Sequence, residues 1–387
     1  MNKKELELYI HIPFCVRKCS YCDFLSAPAT EQTREAYMAA LFAEIGGRAK
    51  DYSDRTVTSI FIGGGTPSLL SGEQIGQLMD RIREQFAMAQ DAEITMEVNP
   101  GTASAEKLRN FYTAGINRLS IGMQSAQAEE LKNLGRIHDF EGFCQVYREA
   151  VEAGFTNINV DIMSGLPGQT LASYRDTLEK VLHLEPMPQH ISAYSLIVEE
   201  GTPFAAMAER GELPLPEEET ERAMYEETIE VLAKYGFHRY EISNYARDGY
   251  ECRHNVGYWI RRDYLGFGIG AASLIDNVRF QNEKSLGAYL AHPLESREEE
   301  QTLTVQDRME ETMFLGLRLT RGVSCVDFAE QYGRTVEEVY GEVIALKVAD
   351  GLLTVTERKE NQKKDRFLAL TKRGLDLSNY VMAQFLF

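Results

Sequence analysis

The chain has 387 residues, 44% of them apolar, and a formal net charge of -18 at pH 7. This length and composition suit one barrel-sized domain plus a smaller one. The acidic balance argues against a nucleic-acid partner, because neutralising phosphates requires a basic surface. The sequence contains neither an apolar run as long as a membrane span nor a signal peptide, so a reducing, cytoplasmic location is expected.

Residues 6–195 alternate between short β-branched runs and amphipathic helical patterns, which predicts βα units around a parallel sheet. The predicted strands are residues 8–12, 58–62, 93–98, 118–122, 157–162 and 190–194, and the predicted helices are 35–45, 72–85, 105–114, 140–153 and 171–182. Six such units indicate a barrel or three-quarter barrel. Functional residues are then expected at the C-terminal ends of the strands.

Three cysteines, Cys15, Cys19 and Cys22, follow the first predicted strand at C-x3-C-x2-C spacing. Thiolates suit iron–sulfur clusters, and a cubane takes four ligands, so three leave one iron open to an exchangeable ligand. The alternative is a zinc knuckle with His11 as the fourth ligand. The isolated Cys144, Cys252 and Cys325 are expected to be buried structural thiols.

A glycine triplet, Gly63-Gly64-Gly65, follows the second predicted strand and is closed by Thr66-Pro67. Glycines let backbone groups approach a ligand closely. The run lacks the Gly-Lys-Ser/Thr ending of a P-loop and the spacing of a dinucleotide fingerprint. Without the cysteines, a turn with no ligand would be the simpler interpretation.

Polar residues stand at the ends of later predicted strands, namely Glu97, Gln124 and Asp161. Any one of them is equally explained as a hydrogen-bonded strand end, but their recurrence at one barrel rim favours a binding site. Arg136 adds a cation able to pair with a carboxylate. Alone, it would be interpreted as a surface residue.

Several motifs together resemble the oxygen-independent coproporphyrinogen III oxidase family of radical S-adenosylmethionine proteins. The motifs are residues 9–15, 63–68, 97–100, 117–124 and 161–170, and the resemblance covers essentially the whole chain. Within that family the chain is most similar to the HemW-type haem chaperones. It has Phe24 where the oxidases carry a further cysteine and lacks their longer N-terminal segment, which puts oxidase activity in doubt.

The resemblance implies an α/β fold, with a radical SAM partial (β/α)6 barrel and a C-terminal α+β domain. It implies that Cys15, Cys19 and Cys22 hold a [4Fe–4S] cluster. The residues implied around S-adenosylmethionine are Tyr9, Gly64, Gly65, Glu97, Gln124, Arg136 and Asp161. Chemistry suggests Glu97 for the methionyl amine, Arg136 for its carboxylate, and Gln124 with Asp161 for the ribose hydroxyls.

A second suggestive stretch contains His254, Asn255, Tyr258 and Trp259. Its His-Asn-x-x-Tyr-Trp pattern resembles the motif linked to haem in the HemW-type proteins, with His254 as an axial ligand. Neutral imidazole ligates haem iron, but a lone histidine beside aromatics is more often a packed, hydrogen-bonded residue. Both interpretations remain open at this point.

The remaining sequence predicts a domain of residues 1–294 and a second of 302–387. The glycine-rich run 266–273 is expected to be a close-packed strand at the barrel mouth, and the acidic run 295–301 a solvated linker. Elements predicted at 306–319, 325–332, 336–350, 352–356, 366–371 and 373–385 follow the order helix, helix, helix, strand, strand, helix. That order resembles a winged-helix module, interpreted as a cap over the barrel.

Three functions follow. The first is a chaperone that binds haem and passes it to acceptors such as respiratory haemoproteins, leaving transient membrane-surface association and the oligomeric state open. The second is an enzyme that cleaves S-adenosylmethionine and uses the 5′-deoxyadenosyl radical on coproporphyrinogen III or a related porphyrin. The third is a winged-helix regulator that senses oxygen through its cluster, which the acidic charge disfavours.

Overall fold

The computed structural model describes residues 3–360 and 363–386, and its first half alternates parallel strands with helices. The strands are β1 (Lys4–Ile12), β2 (Arg55–Gly64), β3 (Ala87–Val98), β4 (Arg118–Gln124), β5 (Ile158–Ser164) and β6 (His190–Ser195). The helices are α1 (Glu31–Arg48), α2 (Gly72–Gln85), α3 (Ala105–Thr113), α4 (Ala128–Leu134), α5 (Phe140–Ala153) and α6 (Leu171–Leu182). The predicted strands and helices are confirmed, and the short α4 was not predicted.

Strands β1 to β6 pair in sequence order, each parallel to the next. Right-handed crossovers between successive neighbours place every connecting helix on the same face of the sheet. The sheet therefore has an outer face covered by helices and an inner face that is free to form a cavity.

Side chains alternate between these two faces. On β5, Ile158, Val160 and Ile162 lie in the apolar core, whereas Asn159 and Asp161 line a cavity. This period of two is what a strand imposes on its side chains. Polar residues can therefore gather on one face without interrupting the core on the other.

The second half of the chain extends the sheet at both ends. Its strands are β7 (His238–Arg239), β8 (Asn244–Ala246), β9 (Tyr264–Phe267), β10 (Ala272–Ile275), β11 (Val278–Asn282) and β12 (Arg297–Thr302). Its helices are α7 (Pro203–Glu209), α8 (Glu218–Lys234), α9 (Arg253–Trp259) and α10 (Leu286–Ala291). The strand order is β12-β11-β10-β9-β1-β2-β3-β4-β5-β6-β8-β7, so in the described residues the barrel is partial, with β12 and β7 at its edges.

Two sequence predictions are wrong here. The glycine-rich run 266–273 ends β9, turns at Gly268 and Gly270, both with positive φ, and then begins β10. The acidic run 295–301 is largely the edge strand β12, which pairs with β11. All six β12 residues are exposed, so the strand lacks the apolar alternation by which strands are predicted.

The C-terminal part has the order expected of a winged helix. Its elements are α11 (Val305–Gly316), β13 (Val323–Ser324), α12 (Cys325–Tyr332), α13 (Val336–Ala349), β14 (Leu353–Glu360), β15 (Lys363–Leu370), α14 (Lys372–Asp376) and α15 (Ser378–Met382). The two-residue β13 was missed, and the helix predicted at 373–385 is broken into α14, α15 and a 3-10 turn at Ala383–Phe385. This confirms the α+β, winged-helix-like prediction.

The described residues contain two large apolar cores. One joins the barrel strands to their helices, and the other includes Met313, Phe328, Leu368 and Phe385 of the C-terminal elements. No helix in the described ranges is both long and apolar enough to cross a membrane.

Candidate functional site

A cavity of about 480 Å³ opens at the C-terminal ends of the parallel strands. Every site residue predicted from the sequence lines it except Tyr9 and His254. The residues it brings together are Cys15, Cys19, Cys22, Gly64, Gly65, Glu97, Gln124, Arg136 and Asp161. These come from six separate stretches of the chain, and the common strand direction is what gathers them at one rim.

The cysteine loop follows β1 and is anchored at both ends by backbone hydrogen bonds. Cys15 N donates to Ala27 O at 3.2 Å, and Ser20 N donates to Leu134 O at 3.0 Å. The hydroxyl of Thr66 donates to the Sγ of Cys15 at 3.4 Å. All three cysteines are free thiols and partly buried, and burial raises the pKa of Cys22. Iron would displace the thiol protons on binding.

Both ring nitrogens of His11 are hydrogen-bonded, which disfavours it as a fourth ligand. Its Nδ1 is hydrogen-bonded to the hydroxyl of Tyr9 at 3.0 Å, and its Nε2 to the carbonyl oxygen of Leu25 at 2.8 Å. The ring thus braces the cysteine loop against β1. Within residues 3–360 and 363–386, no group of three His, Cys, Asp or Glu side chains is arranged around a single metal ion.

The glycine turn packs against the cysteine loop. A Cβ on Gly65 would lie 2.7 Å from Phe14 O and 2.8 Å from Phe14 N, and a Cβ on Gly64 would lie 2.5 Å from the His11 ring. Gly64 also has a φ of 111°. Only glycine therefore allows this close backbone approach. The backbone of the turn therefore packs directly against the backbone of the cysteine loop.

Two half-buried carboxyl groups face the cavity. Glu97 accepts a hydrogen bond from Gly64 N at 3.0 Å, and Asp161 accepts from Asn159 Nδ2 at 2.6 Å and from Ser120 Oγ at 3.3 Å. Desolvation, followed by repulsion from Asp161, raises the pKa of Glu97 to about 8, and desolvation raises the pKa of Asp161. Both groups would be stabilised in their charged form by a cationic ligand.

Arg136 places a guanidinium beside the cysteines. Its Nη2 donates to Gly122 O at 2.6 Å and its Nη1 contacts Cys19 Sγ at 3.8 Å, while the buried Nε has no partner among the described residues. Gln124, at a φ of 69°, accepts from the Tyr194 hydroxyl at 2.8 Å. A spare donor next to the thiols suits a carboxylate bound beside the cluster.

Tyr9 and His254 lie elsewhere. Tyr9 donates toward His11 and lines a neighbouring cavity. His254 is only 1% exposed, with Nδ1 hydrogen-bonded to Ser59 at 2.8 Å and Nε2 to Tyr258 at 3.0 Å. Burial, reinforced by Arg118 and Arg262, lowers the pKa of His254 to about 3. Its role as a haem ligand stays a prediction, one that would require one of these two hydrogen bonds to break so that its nitrogen could face the iron.

Four residues that hold this site were not predicted from the sequence. They are Thr66, which bonds Cys15; Ser120 and Asn159, which bond Asp161; and Tyr194, which bonds Gln124. Ser120 and Asn159 occupy inward positions of strands whose outward residues are apolar. A polar residue at every second position was the signal that would have identified them.

The donor set suits the cofactors expected from the sequence. Three thiols with one guanidinium match a cluster with an open iron, and two carboxyl groups beside a glycine turn match a ligand that carries an amine and a sulfonium charge. Cys144 and Cys325 are partly buried and Cys252 is fully buried, all three as free thiols. None of them lines this cavity.

Comparisons with known proteins agree with this geometry. The sequence matches the model of the Radical SAM superfamily over residues 9–181 and that of the HemN C-terminal domain over residues 303–377. "Heme chaperone HemW" of Bacillus subtilis is 38% identical over 385 residues, covering 98% of this chain and 98% of the relative. "Heme chaperone HemW" of Escherichia coli is 42% identical over 269 residues, covering 69% of each.

A solved structure of a relative matches along the whole chain. It is the coproporphyrinogen III oxidase (HemN) from Escherichia coli, described as a radical SAM enzyme, with a TM-score of 0.84 and 28% identity. The match covers 100% of this chain and 91% of that one. Together these relatives confirm the resemblance drawn from the motifs.

Proposed function

This chain belongs to the family of the heme chaperone HemW, and we propose that it binds haem, together with a [4Fe–4S] cluster and S-adenosylmethionine, and transfers haem to acceptor proteins. The observation that carries the proposal is the 38% identity to the Bacillus subtilis HemW over 98% of both chains. Phe24, which is 60% exposed at the cavity, supports it, because the sequence resemblance gives the oxidases a cysteine at that place.

For the cofactors, we infer that Cys15, Cys19 and Cys22 hold the cluster and that the residues around them bind S-adenosylmethionine. When bound, the two groups supply a reducible iron centre with an exchangeable ligand. Arg136, beside Cys19, would bind the methionyl carboxylate, and Glu97 the amine. Gln124 and Asp161 would bind the ribose hydroxyls. Gly64 and Gly65, which have no side chains, would let the ligand approach the backbone of the turn.

We also propose that the chain is divided into two domains with different roles. Residues 1–294 would carry the cofactor site, and residues 302–387 would form a cap. The two separate apolar cores support this division. Residues 1, 2, 361, 362 and 387, which fall within these ranges, lie outside the described part of the chain.

For partners, we propose haem as cargo and haem-accepting proteins, such as respiratory haemoproteins, as recipients, with haem transfer in the cytoplasm. The net charge of -18 disfavours a nucleic-acid partner and with it the regulator hypothesis. Transient contact with a membrane surface would suit delivery to membrane-bound acceptors.

The test is haem binding and transfer by anaerobically reconstituted protein. Titration with ferric haem should give a Soret band that saturates near one haem per chain. When an apocytochrome is then added, it should acquire haem from the loaded protein, seen as the Soret band of the cytochrome, faster than it acquires free haem from solution. A protein that binds no haem, or that holds it without release, would contradict the chaperone proposal.

The second candidate is a radical SAM enzyme acting on coproporphyrinogen III or a related porphyrin. It is favoured by the TM-score of 0.84 to the Escherichia coli oxidase. The discriminating assay supplies S-adenosylmethionine, a reductant and coproporphyrinogen III under anaerobic conditions. Catalytic formation of protoporphyrinogen IX would establish the enzyme, whereas slow cleavage of S-adenosylmethionine without porphyrin conversion would not.

A further inference from the structure

A second cavity, of about 640 Å³, lies beside the cofactor cavity. Strands β1, β9, β10 and β11 and the cap helix α11 contribute its walls, which include Tyr258, Tyr264, Leu274, Arg279, Phe314 and Leu315. Phe24, Gly64 and Glu97 line both cavities, so the two adjoin. The volume falls within the roughly 300–1,000 Å³ of cavities that hold ligands of drug-like size.

The walls suit a large, flat, apolar molecule with acidic groups. Leu25, Leu274, Phe314 and Leu315 supply apolar surface. Glu311 is contacted by two guanidiniums, Arg261 at 2.9 Å and Arg279 at 2.7 Å, which leaves this group with one net positive charge. Arg279 lines the cavity and is 39% exposed, so it is placed to pair with a carboxylate such as a haem propionate.

His254 does not line this cavity, but Tyr258 does. The two stand one helical turn apart on α9, with His254 Nε2 3.0 Å from the Tyr258 hydroxyl and the rings edge to face at 4.8 Å. His254 lies behind Tyr258, and its Nδ1 is held by Ser59 of β2 at 2.8 Å and lies 3.8 Å from Glu7 Oε2. The histidine thus orients the phenol from the barrel interior.

We propose that haem occupies this second cavity and that the phenol oxygen of Tyr258, rather than His254, is its protein ligand. The inference rests on the proposed haem binding. Phenolate oxygen is an established type of haem iron ligand. His254 is then a positioning residue, hydrogen-bonded to the ligand oxygen as metal-ligating side chains commonly are.

The ligation step balances without a redox change. Ferric haem in water carries an axial hydroxide. The Tyr258 O–H bond breaks, an iron–oxygen bond forms, and the hydroxide accepts the proton and leaves as water. The Ser59 hydroxyl both donates and accepts, so the His254 ring can present Nε2 to the phenol as an acceptor before the step and as a donor after it.

Three other side chains of the cavity are rival ligands. Tyr9 pairs its hydroxyl with His11 Nδ1 at 3.0 Å, but His11 Nε2 is hydrogen-bonded to the carbonyl oxygen of Leu25, which only accepts, so this ring cannot change from acceptor to donor toward Tyr9. Tyr264 packs edge to face on Tyr258 at 4.7 Å, but its hydroxyl is hydrogen-bonded to Arg279, so iron bound there would compete with the pairing of that guanidinium and a haem propionate. His11 also lines the cavity, with both ring nitrogens hydrogen-bonded, one of them to the backbone of the cysteine loop. Tyr258 is the ligand whose partner can adapt to loss of the proton.

The experiment titrates the reconstituted protein with ferric haem and records the Soret band and the resonance Raman spectrum. Wild type should show iron–phenolate vibrations. Tyr258→Phe should lose them and bind haem at least about tenfold more weakly. His254→Gln should keep the phenolate vibrations but shift their frequency, because the hydrogen bond to the ligand oxygen changes.

The matched control is Tyr240→Phe. Tyr240 also pairs its hydroxyl with a buried histidine, His190 Nε2 at 2.9 Å, but it does not line the cavity. This variant should keep the wild-type haem spectrum and affinity. Thermal unfolding and iron content establish that each variant is folded.

Failure of this inference is distinguishable from failure of the proposed function. A wild type that binds no haem would contradict the chaperone proposal. A wild type that binds haem without phenolate vibrations, or Tyr258→Phe with an unchanged spectrum, would overturn only the ligand assignment. If only Tyr264→Phe lost the phenolate vibrations, Tyr264 would be the ligand instead. If the wild type showed a histidine-ligated spectrum that was lost in His254→Gln or in His11→Phe, the histidine replaced in that variant would be the ligand.

Discussion

Glu97 and Asp161 are two half-buried carboxyl groups that face the same cavity. Burial and mutual repulsion make their charged forms costly, and for Glu97 the result is a pKa of about 8. A ligand with a sulfonium charge would reverse that cost, because an opposite charge at close range favours the carboxylate. Binding and deprotonation of Glu97 are therefore linked.

This linkage predicts that the affinity for S-adenosylmethionine rises with pH. Below pH 8 Glu97 must lose a proton when the cation binds, so affinity should fall by up to about tenfold per pH unit as pH decreases. Above pH 8 the group is already ionised and the dependence should level off. Calorimetric titration of reconstituted protein between pH 6.5 and about 9 measures this.

The control for the pH dependence is Glu97→Gln. The amine of the free ligand titrates in the same way in both experiments, so the difference between the two pH profiles reports on residue 97 and its contact with the bound amine. The variant should bind more weakly at high pH, and the difference from wild type should vanish as pH falls. Parallel pH profiles for the two proteins would remove Glu97 from the site.

The cysteines carry the second prediction at this scale. Anaerobic reconstitution should give about four iron and four sulfide per chain, and Cys19→Ser should lose them, because three thiolates are the minimum that holds an open cubane. Cys144→Ser is the matched control, since that thiol lies on α5, outside the cavity. Full iron content in Cys19→Ser, or one zinc per wild-type chain, would contradict the cluster assignment.

At the scale of elements, the site depends on two backbone segments that touch. The glycine turn after β2 meets the cysteine loop after β1, with Gly65 N donating to Ile12 O at 2.8 Å. No side chain separates the two segments. The position of Cys15 relative to the cavity is therefore set by the absence of a Cβ at residue 65.

Gly65→Ala should displace the cysteine loop. The added Cβ would lie within 2.7–2.9 Å of backbone atoms of Phe14 and Ile12, which cannot rotate away as a side chain could. Forced overpacking of this kind costs about 1–3 kcal/mol. Urea unfolding should show that loss, and reconstituted iron should fall.

Gly76→Ala on α2 is the matched control for Gly65→Ala. Nothing lies within 4 Å of its Cβ position, and the residue is inside a helix. Alanine there should raise stability by about 0.5–1 kcal/mol and leave iron content unchanged. A Gly65→Ala protein with wild-type iron and stability would show that the contact between the two segments does not position the cluster.

The elements also show what the sequence could predict. Strands β1 to β6 were recognisable because their outward residues, such as Leu8 and Ile10, form continuous apolar patterns. Strand β12 was not recognisable, because an exposed acidic edge strand has no buried face and therefore no alternating apolar residues. Helix α9 is seven residues long, shorter than the windows in which helical periodicity is visible.

The candidate site also has one part that could be predicted from the sequence and one part that could not. The cysteine spacing and the strand-end residues were visible in the sequence, and the cavity brings them together. The environment of His254 was not visible. Its partners Ser59 and Tyr258 come from β2 and α9, and only folding places β2 beneath that helix.

For the whole molecule, a buried ionic group joins the barrel to the C-terminal elements from α11 onward, the proposed cap. Glu311 on α11 of the cap is contacted by Arg261 and Arg279, which belong to the barrel part of the chain. Arg261 and Glu311 are 3% and 8% exposed, and Arg261 Nη2 already lacks a partner among the described residues. Removing the carboxylate would leave the buried guanidinium of Arg261 without its counter-charge.

Glu311→Ala should therefore destabilise the cap relative to the barrel. Breaking one side of a buried ion pair costs about 3–5 kcal/mol, because the remaining charge stays desolvated. Since the cap has its own apolar core, its unfolding should separate from that of the barrel. Urea unfolding followed by circular dichroism should change from one transition to two, with the earlier one matching the helical content of the cap.

The matched control is Glu129→Ala, which removes an exposed partner of Lys132 on α4 and should change stability by no more than about 0.5 kcal/mol. Equal effects of the two substitutions, or a single unshifted transition in Glu311→Ala, would mean that the apolar contacts of α11 hold the cap in place without the ionic group.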